Sequence, residues 1–147
     1  MLHVGLDLSS KRNDVCLISD QGELIDRFTA TPDRDGLHGL ARRVAVYGEP
    51  VRAVVESMNG ARFVHDELAA HGWQVLVADA QKVKGLAPLA GKTDKIDSRV
   101  LAELSFRDVV PAIWLPTFEL RSEREISRWR LHLVKHRSTL KNGCTPR

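Results

Sequence analysis

Four carboxylates in this sequence occupy positions where a negative charge needs an explanation. Asp7 interrupts the first apolar run, in the stretch VGLDLSS, and Glu56 closes a later apolar run, VRAVVE. Asp94 and Asp97 stand three residues apart in GKTDKIDSRV. A charge inside an apolar strand is costly unless something compensates it, and clustered carboxylates repel one another. A divalent cation that prefers oxygen ligands relieves that repulsion.

The chemistry that such a cluster supports is the displacement of a phosphodiester. Two divalent ions roughly 4 Å apart hold the attacking and the leaving oxygen of that reaction. Three of the acids also have a structural interpretation: Asp7 as a turn cap, Glu56 as a turn residue, and Asp94 as an acid favoured by the dipole at a helix start. The spacing of the acids leaves both interpretations open.

The elements that must position these acids follow from the apolar pattern. Three strands come first, with a hairpin turn at Asp20-Gln21-Gly22 between the second and the third. Helices and strands then alternate, which gives the order β-β-β-α-β-α-β-α before a helical tail. The strands are predicted in LHVGLDL, DVCLISD, GELIDRFTA, VRAVVES and WQVLVAD.

The predicted helices begin at recognisable caps. Asp33 or Asp35 caps the first, and the second is GARFVHDELAAHG. A weakly helical stretch, QKVKGLAPLAG, is broken by Pro88. The next helix is predicted from a cap at Thr93 to Arg107, so that Asp94 and Asp97 project from one face. The apolar positions of the first helix are Leu37, Leu40, Val44 and Tyr47.

This order predicts an α/β fold in which a mixed five-stranded sheet carries helices on both faces. It matches the ribonuclease-H-like arrangement, whose first strand is central and whose fourth strand lies parallel beside it. Strand ends next to a helix start are where open α/β sheets build their sites. The predicted organisation is a sheet domain over 1–110, an extended linker over 111–117 and a basic amphipathic helix over 118–147.

Charge is unevenly distributed along the chain. Residues 1–120 carry 14 Lys and Arg against 17 Asp and Glu, whereas residues 121–147 carry 8 against 2. Such an asymmetry points to contact with a polyanion at the C-terminal end. The two cysteines form neither a disulfide framework nor a metal-binding spacing, and the sequence has no apolar run long enough to cross a membrane and no signal-peptide pattern. A cytoplasmic location is therefore expected.

Four stretches of the sequence carry a resemblance to a known family. VGLDLSSKRNDVCLIS, VVESMNG, LAAHGWQVLVADAQKVKGLA and GKTDKIDSRVLAEL together resemble the N-terminal RuvC-like domain of the DEDD insertion-sequence transposases. These are bacterial mobile-element recombinases described as using a bridge RNA. The resemblance covers residues 1–142, and its most specific part is 91–104. It implies a catalytic tetrad for DNA transposition that binds Mg²⁺ or Mn²⁺, formed by Asp7, Glu56, Asp94 and Asp97.

The C-terminal stretch LRSEREISRWRLHLVKHRSTLKN is similar to the arginine-rich helix of the same family. The resemblance implies contact with DNA and a guide-type RNA, and assembly into a homo-oligomer. The apolar positions Ile126, Trp129, Leu133 and Leu140 can seat a partner helix, although a solvated helix packed on its own domain fits the pattern equally well. The candidate nucleic-acid-binding residues are Lys92, Lys95, Arg121, Arg128, Arg130, Arg137 and Lys141.

The family's second domain, which carries a nucleophilic serine, has no counterpart in these residues, so the sequence is expected to represent a truncated transposase. Two alternatives stay open. The chain can be a catalytically idle remnant that binds nucleic acid or another subunit, or a RuvC-like nuclease that cleaves branched DNA. A third candidate, an actin-like phosphotransferase, is disfavoured because the sequence lacks a second glycine-rich phosphate loop.

Overall fold

The computed structural model describes residues 1–86 and 97–143. The chain forms two compact units, Met1–Ile113 and Trp114–Arg147. The first contains the sheet and the helices that pack on it, and the second contains one long helix. The predicted boundaries at 110 and 117 stay predictions.

The first unit is built on five strands. They are β1 (Leu2–Leu8), β2 (Asn13–Ile18), β3 (Leu24–Ala30), β4 (Val51–Glu56) and β5 (Gln74–Ala78). Their order across the sheet is β3-β2-β1-β4-β5, with β1 antiparallel to β2 and parallel to β4. The prediction of a mixed five-stranded sheet with a central first strand is therefore confirmed.

Within the described residues the helices are α1 (Arg34–Ala45), α2 (Ala61–Ala70), α3 (Ala80–Leu86), α4 (Ser98–Phe106) and α5 (Phe118–Gly143). Asp33 caps α1, because its Oδ1 accepts a hydrogen bond from the backbone N–H of Gly36. The prediction that Tyr47 lies on the apolar face of α1 is wrong. The helix ends at Ala45, three residues before Gly48, whose positive φ redirects the chain, and Tyr47 is exposed.

One face of the sheet is covered by α4 at very short range. Side chains alternate along a strand, so His3, Gly5 and Asp7 of β1 share a face. A Cβ atom at Gly5 would overlap the carbonyl oxygen of Ser98 and lie 2.5 Å from the backbone nitrogen of Ala102. His3 Nδ1 lies 2.9 Å from Ser105 Oγ, near the other end of α4. The helix therefore runs antiparallel to β1, with its N-terminus beside the end of β1 that carries Asp7.

Helix α1 covers the opposite face. The guanidinium of Arg43 lies 4.0 Å above the ring of Phe28, which pairs with Val15 on the face away from Gly5. Helix α2 packs beside α1 and against β5. The sheet thus has helices on both faces, as the element order predicts.

The start of α4 differs from the prediction. Asp97 has extended backbone angles and is the N-cap of the helix, and its side chain accepts a hydrogen bond from Val100 N. The expectation that Asp94 and Asp97 lie on one helical face is therefore wrong for Asp97. The N–H groups of the first helical turn have no partner within the helix, and a carboxylate accepts a hydrogen bond from them only from a non-helical position before the helix. Thr93 and Asp94 lie outside the described residues.

The second unit contains α5, none of whose residues is buried. Within this unit the guanidinium of Arg124 lies 5.5 Å from the centre of the Trp114 ring. Among the described residues, every helix is too short or too polar to cross a lipid bilayer.

Buried His3 predicts a dependence of stability on pH. Burial, followed by the nearby charge of Arg52, lowers the pKa of His3 below its ordinary value of 6.5. The unfolded chain then takes up a proton more readily than the folded one. The free energy of unfolding is therefore expected to fall as the pH drops through 6.5 toward the lower folded value. Denaturant titrations between about pH 7.5 and pH 5.5 should show a shallower dependence of the free energy of unfolding on pH in His3→Gln than in the wild type. Equal slopes in the two proteins would contradict the assignment.

Candidate active site

Asp7 lies near the end of β1 and points to the face of the sheet that α4 covers. Its direct partner across the antiparallel pair is Asp14 of β2. Asp7 is half-buried, whereas its neighbours Leu6 and Leu8 are buried on the opposite face. An acid at this point of the strand is therefore held in a fixed direction by a rigid element.

Asp97 reaches the same place from the N-terminus of α4. Its Oδ1 atom accepts a hydrogen bond of 3.0 Å from Val100 N. Its Oδ2 atom lies 4.0 Å from Nη2 of Arg27 on β3. The helix cap and the arginine together orient this carboxylate, and the partly exposed pair is a weak one in energetic terms.

Asp7 and Asp97 line one depression of about 380 Å³. They are far apart in the sequence and meet because α4 contacts the backbone of β1 at Gly5. The described residues that line this depression are Asp7, Asp14, Val15, Arg27, Phe28, Thr29, Asp97 and Ser98. Its walls thus combine carboxylates with a single arginine among the described residues.

Glu56 is the last residue of β4, the strand beside β1. The register pairs Gly5 with Val54 and Leu6 with Val55, so continuing it by one residue places Glu56 beside Asp7. Val54 packs against Leu101 and Leu104 of α4, and Glu56, two residues later, points to the same face. Glu56 is half-buried, and among the described residues it is not one that lines the depression.

Three further predicted site residues lie outside the described part of the chain. These are Asp94, Lys92 and Lys95. Within residues 1–86 and 97–143, no three His, Cys, Asp or Glu side chains are grouped closely enough to hold a metal ion by themselves. The chemistry of the donor set nevertheless suits a hard divalent cation, because Asp7 and Asp97 offer carboxylate oxygens to one depression.

Two residues of this depression, Asp14 and Arg27, are not indicated by the sequence pattern. Asp14 adds a carboxylate opposite Asp7, and its Oδ1 atom lies 3.1 Å from Nε of Arg12. Arg27 brings a positive charge from β3. Both follow from the register of the meander β1-β2-β3, which pairs Asp7 with Asp14 and Cys16 with Arg27. The turn predicted between β2 and β3 does not locate them, because the register shifts between Leu17 and Ile18 and because Asp14 pairs across the other hairpin.

Cys16 is fully buried on the same face and packs with Ile18 and Ala102. Burial raises the pKa of the Cys16 thiol, which keeps it protonated and unreactive. Cys16 is therefore a small hydrophobic residue of the core.

The second unit presents the basic residues predicted to bind nucleic acid. With 3.6 residues per turn, the exposed residues Ile126, Trp129, Leu133 and Leu140 fall in one stripe along α5. Arg130, Arg137 and Lys141 lie along one edge of the stripe, whereas Arg121 and Arg128 lie about 80–100° beyond its other edge. The helix therefore carries an apolar stripe and two rows of basic residues, one beside the stripe and one further round the helix.

Comparison with known proteins adds a family and a fold. A model of the IS110-type DEDD family, described as "Transposase", matches residues 4–145. The structure of T. thermophilus RuvC in complex with a Holliday junction substrate is similar, with a TM-score of 0.54 and 10% sequence identity. The similarity covers 77% of this chain and 99% of that one, and it confirms the RuvC-like, ribonuclease-H-like fold. No curated protein sequence matches the chain.

Proposed function

Because the chain belongs to the IS110-type DEDD transposase family, we propose that Asp7, Glu56, Asp94 and Asp97 perform metal-dependent phosphodiester chemistry on DNA during transposition of an insertion sequence. The chain is a transposase domain with a RuvC-like fold. The observation that carries the proposed roles is the meeting of Asp7 and Asp97 in one depression, from the central strand and from the helix that covers it.

In this proposal the four acids hold Mg²⁺, or Mn²⁺ in its place. The bound ions supply Lewis-acid stabilisation of the attacking and leaving oxygens. The chain's own contribution is orientation. The rigid strand β1 directs the carboxylate of Asp7, and the Val100 N–H fixes one oxygen of Asp97 so that the other is directed away from the cap. Glu56 contributes from the end of the neighbouring parallel strand.

A calorimetric titration with Mg²⁺ and with Mn²⁺, in the presence of DNA, tests the proposal. We expect the wild type to bind the ions and Asp7→Asn to lose at least about tenfold in affinity, since an amide oxygen carries no charge to balance the cation. Asp26→Asn is a matched control, because Asp26 is an acid of the same sheet that pairs with Arg43 on the opposite face. A wild type that binds neither ion, or an Asp7→Asn variant with unchanged affinity, would remove the catalytic role.

We also propose that the basic rows of α5 bind DNA, together with a guide-type RNA, and that Lys92 and Lys95 contribute near the acids. Arginine and lysine bind phosphates whatever the base sequence. The apolar stripe between the rows supports assembly into a homo-oligomer, because an exposed stripe of this kind on a long helix suits a second helix. The cytoplasm is the proposed location of this chemistry.

Salt dependence provides the measure of the phosphate contacts. Affinity for duplex DNA falls as salt rises, and each phosphate contact contributes roughly 0.9 to the steepness of log affinity against log salt. Replacing Arg130 and Arg137 with glutamine is therefore expected to make this dependence less steep by about 2. The double substitution Arg42→Gln and Arg62→Gln removes the same charge from exposed positions of α1 and α2. It should leave the slope unchanged. Equal changes in both double variants would show that net charge alone, and not α5, determines binding.

A second candidate function is structure-specific cleavage of branched DNA. The fold is shared with RuvC, whose structure was solved in complex with a Holliday junction substrate. Cleavage of a four-way junction, with linear insertion-sequence ends left intact, would favour this nuclease. The opposite preference favours the transposase. If the chain binds DNA but shows no metal-dependent cleavage of either substrate, the idle remnant is favoured.

A further inference from the structure

We propose that His132 and His136 of α5 form a second metal site, a two-imidazole chelate for a first-row transition ion such as Zn²⁺ or Ni²⁺. The two Nε2 atoms lie 3.2 Å apart, one helical turn from each other. Histidines at positions i and i+4 share a helix face, which is the arrangement that binds zinc on helices. This site is in the second unit and is independent of the proposed catalytic acids.

The distance between the two nitrogens matches the distance between two nitrogen ligands of one metal ion. Zinc–nitrogen bonds are about 2.0–2.1 Å long, so a tetrahedral ion holds its nitrogen ligands about 3.3–3.4 Å apart and an octahedral ion holds adjacent ones about 2.9 Å apart. The distance in α5 falls between these values. Without an ion, the Nε2–H of one ring donates a hydrogen bond to the Nε2 atom of the other. When the ion binds, both lone pairs point to it and each ring keeps its proton on Nδ1.

The neighbouring residues support the site. The indole of Trp129 contacts the ring of His132 edge-on, with 5.8 Å between ring centres. The rings of His132 and His136 are themselves 4.4 Å apart at 65°. These contacts restrict the rotation of His132, so less freedom is lost when an ion binds. Glu125 lines the same shallow depression as Trp129 and His132, and it offsets the positive charge of Arg128 there.

The ligand type separates this site from the acid depression. Neutral imidazole suits Zn²⁺, Ni²⁺ and Cu²⁺, whereas carboxylates suit Mg²⁺ and Mn²⁺. Both histidines belong to a helix on which no residue is buried, so an ion reaches them without any opening of the core. Two protein ligands leave further coordination positions to water. Since the ion links residues one turn apart, binding should stabilise the helical form of this part of α5.

The test is a calorimetric titration of the full chain with Zn²⁺ and with Ni²⁺, in a buffer that already contains saturating Mg²⁺. We expect His132→Gln and His136→Gln each to weaken binding at least about tenfold, because each removes one of two ligands. The second imidazole pair of the described chain, His38 and His71, has ring centres 4.8 Å apart and provides the control. His71→Gln should bind as the wild type does, and so should Cys144→Ser.

Spectroscopy supplies a second measurement. The electron paramagnetic resonance spectrum of bound Cu²⁺ should show coupling to two imidazole nitrogens in the wild type and to one in His132→Gln. A wild type that binds Zn²⁺ and Ni²⁺ no more tightly than the double His132→Gln, His136→Gln variant would overturn the site. Equal loss in His71→Gln would also overturn it. Asp7→Asn should retain the imidazole site, so failure of the proposed catalytic function and failure of this site are distinguishable.

Discussion

Asp97→Asn is expected to fold with wild-type stability and to lose metal-dependent cleavage of DNA by about 10²-fold or more. Asparagine is as good an N-cap as aspartate, so its side-chain oxygen can still accept the hydrogen bond from Val100 N. The substitution removes the negative charge that Asp97 contributes to the depression it shares with Asp7, together with the weak ion pair to Arg27. Cleavage assays and divalent-ion titrations measure the loss, and thermal unfolding measures the stability.

Asp97→Ala separates the two roles of this residue. Alanine removes the cap as well as the charge, so the free energy of unfolding is expected to fall by about 1 kcal/mol. Cleavage should be lost to the same extent as in Asp97→Asn. If Asp97→Asn cleaves DNA like the wild type while Asp97→Ala is merely less stable, then Asp97 is a structural cap and has no place in the chemistry.

Gly5→Ala is expected to destabilise the first unit by about 3 kcal/mol or more, at the upper end of the costs of overpacking a core. The new methyl group would meet the backbone of α4 at Ser98 and Ala102, and backbone atoms cannot move aside as a flexible side chain can. Gly5 is not among the glycines of positive φ, so the cost arises from space and not from backbone conformation. Chemical denaturation monitored by circular dichroism measures this effect.

Gly39→Ala is the matched control. Gly39 lies within α1, and a Cβ atom there would have no neighbour within 4 Å. The free energy of unfolding should rise by about 0.5–1 kcal/mol, because alanine loses less conformational freedom than glycine in a helix. Equal stability of Gly5→Ala and the wild type would mean that α4 does not contact β1 at this point, and the proximity of Asp7 and Asp97 would lose its cause.

The strands and their succession along the chain can be read from the sequence, because each strand has its own local signal. Alternation or continuity of apolar residues identified β1, β4 and β5, and the turn at Gly22 identified the hairpin of β2 and β3. The acid in the first strand was also evident, since a carboxylate among apolar neighbours is unusual wherever the strand lies.

The boundaries of α4 were harder to predict because capping competes with helix formation at the same residues. Both Thr93 and Asp97 are good caps by residue type. In the structure Asp97 has the extended backbone of the cap. The sequence pattern also places Tyr47 wrongly on the apolar face of α1, because its spacing continues that pattern past the residue at which the helix ends.

Apolar patterning and turn signals indicate a mixed sheet with an acid on its central strand, followed by a basic helix. The packing of α4 at Gly5 brings Asp7 and Asp97 to one depression, and the strand register adds Asp14 and Arg27 to it. Local patterns are determined by neighbours along the chain, whereas contacts between distant residues depend on how closely whole elements pack, which no single stretch of sequence encodes.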